Sequence, residues 1–101
     1  LGYLYENIVA QMLTASGHKL FYHTFPNRSG SKNYAIDFLI ARHNKVCPIE
    51  VKPGSNLRHA SLDNFCEKYS DRIAEKVIFS TKDYKREGGI LYLPVYMTPF
   101  L

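Results

Sequence analysis

Asp37, Glu50 and Lys52 are the residues of this chain whose types and spacing could do chemistry. Residues 34–41 read as one β-strand and residues 45–52 as its partner, with His43-Asn44 as the two-residue turn between them. In that register Asp37 lies directly opposite Glu50, and Ala35 opposite Lys52. Two carboxylates facing each other across a ladder repel. A folded chain keeps such a pair when something positive joins it, such as a metal ion or a lysine. Lys52 follows Glu50 by two residues and so points to the same sheet face. Two acids and an amine on one patch are the minimal set for metal-dependent cleavage of a phosphodiester. The blander alternative is a surface ion-pair ladder, Glu50 with Lys52 and Asp37 with a loop arginine. Spacing and register together favour the chemical reading.

The chemistry follows from charge. A hard divalent ion, Mg²⁺ or Mn²⁺, binds through one or two carboxylates plus water and phosphate. Asp37 and Glu50 supply the carboxylates, and the Val51 backbone carbonyl a further oxygen. Glu6 is the fourth candidate, completing the shell directly or through water. It shares a helical stripe with Tyr3, Val9, Ala10 and Leu13. An acid in an apolar stripe costs free energy unless it is paired or ligating. Its alternatives are a place at the stripe's edge, reaching into water, or a salt bridge to Lys52. Lys52 would orient the attacking water or stabilise the charge on the transition state.

Elements must position these groups. Residues 2–16 read as a helix through Leu4, Ile8, Val9, Met12 and Leu13, with Gly17 as its stop. A first strand is expected at 19–25, a polar loop at 26–33, and a sharp end to the hairpin at 53–56. Ser61 is expected to cap a helix running to about Ser70, with Leu62, Phe65, Cys66 and Tyr69 on its apolar side. Residues 76–80 form a buried strand, 81–89 a charged loop, and 90–97 a last strand whose Pro94 suits an edge. Within the hairpin, alternation puts Ile36, Phe38, Ile40, Cys47, Ile49 and Val51 on one apolar face. Ala35, Asp37, Leu39, Val46, Pro48, Glu50 and Lys52 make a second covered face with a polar notch at one end. The strand at 76–80 should return parallel to a neighbour after the helical crossover. This is an α/β chain with a mixed central sheet flanked by helices.

The 101 residues suffice for one domain with a real core. No apolar run approaches the roughly 20 residues of a membrane span. Cys47 and Cys66 lack metal-ligand spacing and read as buried free thiols, which suits a reducing cytoplasm. The net charge of +4 suits a phosphate-backbone partner such as DNA. His18, His23, His43 and His59 show no ligand pattern, though Arg58 and His59 could reach a phosphate at the site. Tyr84 among Lys82, Lys85 and Arg86 could stack on nucleic acid, against the alternative of a solvated loop. Tyr92, Tyr96 and Phe100 suggest an edge through which two copies could pair into a homo-oligomer. The opening Leu1-Gly2, without a methionine, suggests a fragment of a longer protein.

Three stretches carry a resemblance: residues 4–10 (Leu-Tyr-Glu-Asn-Ile-Val-Ala), 36–40 (Ile-Asp-Phe-Leu-Ile) and 48–52 (Pro-Ile-Glu-Val-Lys). With Ser61-Leu62 and the closing Leu93-Pro94-Val95-Tyr96-Met97, they resemble the PD-(D/E)XK nuclease-like superfamily. More narrowly, the chain is similar to the nuclease-like C-terminal domain of bacterial and archaeal AAA-type ATPases, a domain of unknown function. The resemblance implies a restriction-endonuclease-like αβββαβ core and Mg²⁺-dependent cleavage of phosphodiesters, usually in DNA. It carries the motif onto Asp37, Glu50 and Lys52, with Glu6 as the first-helix acid. Ile36 stands where the motif's proline would be. It also implies an ATPase domain N-terminal to this one as a partner. The alternative to a nuclease is a catalytically silent module that regulates or docks that ATPase or binds nucleic acid.

Overall fold

The computed structural model of the chain describes residues 2–26, 33–52 and 59–101. Its elements run α1 (Gly2–Ala15), β1 (Phe21–Pro26), β2 (Asn33–Arg42), β3 (Lys45–Lys52), α2 (Ala60–Lys68), β4 (Lys76–Ser80), β5 (Lys85–Glu87) and β6 (Ile90–Pro94). Short 3₁₀ segments follow α2 (Ser70–Arg72) and β6 (Val95–Phe100). One mixed sheet has the strand order β1-β2-β3-β4-β6-β5. β1, β2 and β3 form an antiparallel meander, and β3, β4 and β6 run parallel. The expected αβββαβ order and the parallel return of the strand at Lys76–Ser80 are both present.

Both sheet faces are covered, which is why the parallel strands are apolar almost throughout. On one face, Val9 and Leu13 of α1 pack on Phe38, Ile40, Cys47, Ile49, Val51, Val77, Phe79, Leu91 and Leu93. On the other, Leu62 of α2 packs on Ile78, Ile90 and Tyr92, and Phe65 packs on Ile36. Pro48 is fully buried, so the second hairpin face is a covered one. Of the anticipated α1 stripe, Leu4 is instead exposed.

The hairpin turn is where the sequence put it. His43 and Asn44 both adopt positive φ (50° and 68°), the requirement of a tight type I′ turn. The ladder then runs in register from Arg42↔Lys45 to Phe38↔Ile49. The expected Ala35–Lys52 pairing is not part of it. On its other side β2 pairs Phe21↔Leu39 and then His23↔Ile36, so β2 carries one extra residue at Asp37-Phe38. This bulge flips the alternation. Ile36 therefore joins Phe65 on the α2 face rather than Phe38 on the α1 face.

Other expectations change as well. Ser61 is not a cap: α2 begins at Ala60, His59 holds the cap position, and no side chain caps it. The helix ends at Lys68, short of Ser70. The charged loop contains β5, joined to β6 by Gly88-Gly89 at positive φ (60° and 76°). β6 is consequently an inner strand, and Pro94 terminates it instead of marking an edge. Tyr92 is buried, whereas Tyr96 and Phe100 are exposed on the 3₁₀ segment. The expected loop and hairpin end at 27–32 and 53–56, and Arg58, lie outside the described residues.

Gly17 stops α1 as anticipated. Its φ is +92°, the His18 N–H donates to the Leu13 carbonyl, and the Gly17 N–H donates to the Thr14 carbonyl. This is a Schellman motif, which satisfies carbonyls left free at the helix end. Gly17→Ala meets no neighbour within 4 Å, so its cost is purely conformational. We expect a loss of about 1 kcal/mol in urea unfolding; an unchanged midpoint would contradict this account of the cap.

Candidate functional site

The candidate acids sit where β2 and β3 part. Below Phe38↔Ile49 the backbone ladder stops, and side chains bridge the gap. The Asp37 N–H donates to Glu50 Oε1 (3.2 Å), and the Val51 N–H donates to Asp37 Oδ2 (2.8 Å). Each acid thus satisfies a backbone amide at or beside its counterpart on the facing strand. The arrangement lies just past the last β2–β3 pair, Phe38↔Ile49, and at the β2 residues where its pairing with β1 shifts register. The two carboxylates meet in the gap and not on opposite sheet surfaces.

Lys52 and Glu6 complete the group. Lys52 Nζ lies 3.3 Å from Glu50 Oε2. The Glu6 carboxyl, half-buried on α1, lies near enough to Asp37 to feel its charge. Lys52, Glu50, Asp37 and Glu6, singled out from the sequence, are therefore one electrostatically linked group. The Glu50–Lys52 ion pair of the blander alternative is present, but not at the surface. Glu50 is only 3% exposed, so it is a buried acid.

The electrostatics are those of a site with surplus negative charge. Burial raises the Glu50 carboxyl above its ordinary 4.5, Asp37 raises it further, and Lys52 offsets this only in part. Glu6 is also raised, by burial first and then by the charge and hydrogen bond of Asp37. Burying an ionised carboxylate costs several kcal/mol unless charge and hydrogen bonds compensate. Among the described residues, three acids share one lysine here.

Other candidates do not join this group. His59 Nδ1 is engaged 2.8 Å from Asp63 Oδ2 on its own helix. Lys85 pairs with Glu87 and lies over the Tyr92 ring, while Arg86 pairs with Glu75. Tyr84 remains exposed among them. Both cysteines are free, and burial pushes Cys47 up to about 12 and Cys66 to about 11. Neither thiol is a nucleophile at neutral pH. A groove lined by Ala10, Gln11, Thr14, Ala15, Leu20 and Tyr22 carries no charged group.

Sequence reasoning missed the part played by the backbone. The Asp37 and Val51 amides, beyond the last ladder pair, hold the two carboxylates in place. It also passed over Ser80, a buried hydroxyl paired in register with Lys52 on the adjacent strand. Ser80 Oγ accepts the Lys82 N–H (3.1 Å).

A protein-family model described as Domain of unknown function (DUF4143) matches residues 1–97. The chain belongs to the DUF4143 family. No curated protein matches it. The family description names no activity, so chemistry must be read from the donors themselves. Among the described residues of this DUF4143 domain, no three His, Cys, Asp or Glu side chains are arranged to hold a metal ion. Two hard carboxylates fit Mg²⁺ or Mn²⁺, which keep several waters and bind through one or two acids.

The raised acids make stability depend on pH. A raised carboxyl contributes stability that is complete below 4.5 and lost as pH rises through its higher folded value. In cation-free buffer we expect Glu50→Gln to gain stability relative to wild type as pH increases from 4.5 to 8. Parallel pH profiles for the two proteins, measured by chemical denaturation, would contradict the buried-charge account of Glu50.

Proposed function

We propose that this domain is a metal-dependent nuclease module that hydrolyses phosphodiesters, with DNA as its substrate. The carrying observation is the fork itself: two carboxylates, tethered by backbone amides across parting strands, with a lysine on the buried one. The motif resemblance to the PD-(D/E)XK superfamily supports the same reading on the same residues. The site lies at the carboxyl end of β3, beside parallel β4, where open α/β sheets place their ligands.

In this reading Asp37 and Glu50 hold Mg²⁺ or Mn²⁺, with the Val51 carbonyl as a further oxygen and Glu6 behind Asp37. The bound cation would supply an acidified water and neutralise charge on the phosphate. Asp37 and Glu50 keep their geometry through the amides that tether them. Lys52 donates hydrogen bonds to the attacking water or to the phosphate oxygens as negative charge builds there. Water adds to phosphorus, one P–O ester bond breaks, and the departing oxygen takes up a proton. We further propose that the domain works as the C-terminal part of a cytoplasmic AAA-type ATPase chain, with the ATPase domain as its partner. No helix among the described residues is long and apolar enough to cross a membrane.

A second reading is a catalytically silent module that binds nucleic acid or regulates the ATPase. Two observations favour it: Lys52 occupies Glu50 Oε2, and the described residues hold no three-acid metal cluster. One assay separates the two. The nuclease reading expects Mg²⁺- or Mn²⁺-dependent cleavage of single-stranded, duplex or nicked DNA, reduced at least about a hundredfold by Glu50→Ala or Asp37→Asn. Cleavage that survives both substitutions, or none with any substrate, would overturn it.

A further inference from the structure

The geometry points to Lys52 as a displaceable counter-ion: it neutralises Glu50 in the cation-free protein and is released toward substrate when a divalent cation takes Glu50 Oε2. This rests on the reading of Asp37 and Glu50 as cation ligands. Glu50 has two oxygens, and the Asp37 N–H already holds Oε1. The oxygen free of any backbone amide is Oε2, which the Lys52 ammonium meets at 3.3 Å. An octahedral Mg²⁺ needs its ligand oxygen at about 2.1 Å. A cation so placed would leave the ammonium no more than roughly 5 Å away, inside a site too buried to screen the repulsion well.

The lysine can leave, and the glutamate cannot. Glu50 is only 3% exposed and fixed by the Asp37 amide, whereas the Lys52 side chain is 32% exposed on a flexible four-carbon stem. The ion pair therefore breaks by movement of Lys52. Its amine becomes available to water or phosphate only after the cation has arrived. Cation binding and release of the amine are then linked equilibria, each biasing the other by the same factor. This couples assembly of the site to the cation and keeps a buried acid neutralised in its absence.

Two measurements test this. Mn²⁺ titration by calorimetry on wild type, Lys52→Met and Lys52→Arg should give about fivefold or greater tightening in Lys52→Met and none in Lys52→Arg. In wild-type protein, acylation of Lys52 by an amine reagent, followed by mass spectrometry, should accelerate several-fold when Mn²⁺ is added. Acylation of Lys45 should be unchanged. If Mn²⁺ binds but neither affinity nor Lys52 labelling responds, the displacement is overturned and the cation site stands. If Mn²⁺ binds neither wild type nor Lys52→Met, the cation site falls and this inference with it. Should Lys52→Met fail to fold, labelling of the wild type decides alone.

Discussion

The structure turns on one buried carboxylate. Glu50 sits in a sheet covered on both faces, at a position where every other residue of its strand end packs as a hydrophobe or meets solvent. A charge there survives because two groups compensate it: the Asp37 amide and the Lys52 ammonium. Replacing such an acid by a hydrophobe of similar size would often stabilise a fold. An expensive acid at the mouth of a parallel sheet therefore argues for a role other than holding the sheet together.

The fold serves that acid in a specific way. α1 covers one face with Val9 and Leu13 and brings Glu6 to Asp37. The β2–β3 ladder ends at Phe38↔Ile49, and the Asp37 and Val51 amides beyond it bind the carboxylates instead. β4, packed parallel against β3, fixes the height of Glu50, Val51 and Lys52. α2 seals the opposite face through Leu62 and Phe65. Packing and site are thus one construction: the same strand pair supplies the core along its ladder, from Phe38 toward the turn, and the acids just past the ladder's end.

Much of this was legible in the sequence, and the reasons are physical. A two-residue turn at positive φ fixes register rigidly, so His43-Asn44 placed Asp37 against Glu50. Helical spacing put Glu6 on the Val9 and Leu13 side of α1, where it is partly buried, and Leu62 and Phe65 identified the inner side of α2. The bulge was not legible, because Ile36-Asp37-Phe38 alternates like an ordinary strand. Ile36 accordingly faces α2 against expectation. β5 was missed because Lys85-Arg86-Glu87 is exposed throughout and carries no alternation; Gly88-Gly89 was the available signal. Missing β5 made β6 look like an edge and Tyr92 look exposed. Ser61 was given a cap that the chain places at His59, whose ring turns to Asp63.

The central claim is that the fork between β2 and β3 is a divalent-cation site. Crystals grown without divalent ions and soaked in Mn²⁺ test it most directly, through the anomalous signal of manganese. The account predicts a peak at coordination distance, about 2.1 Å, from Glu50 Oε2 and an Asp37 carboxylate oxygen, with Lys52 moved off Glu50. A saturated soak that leaves the fork empty and the Lys52–Glu50 ion pair intact would contradict it.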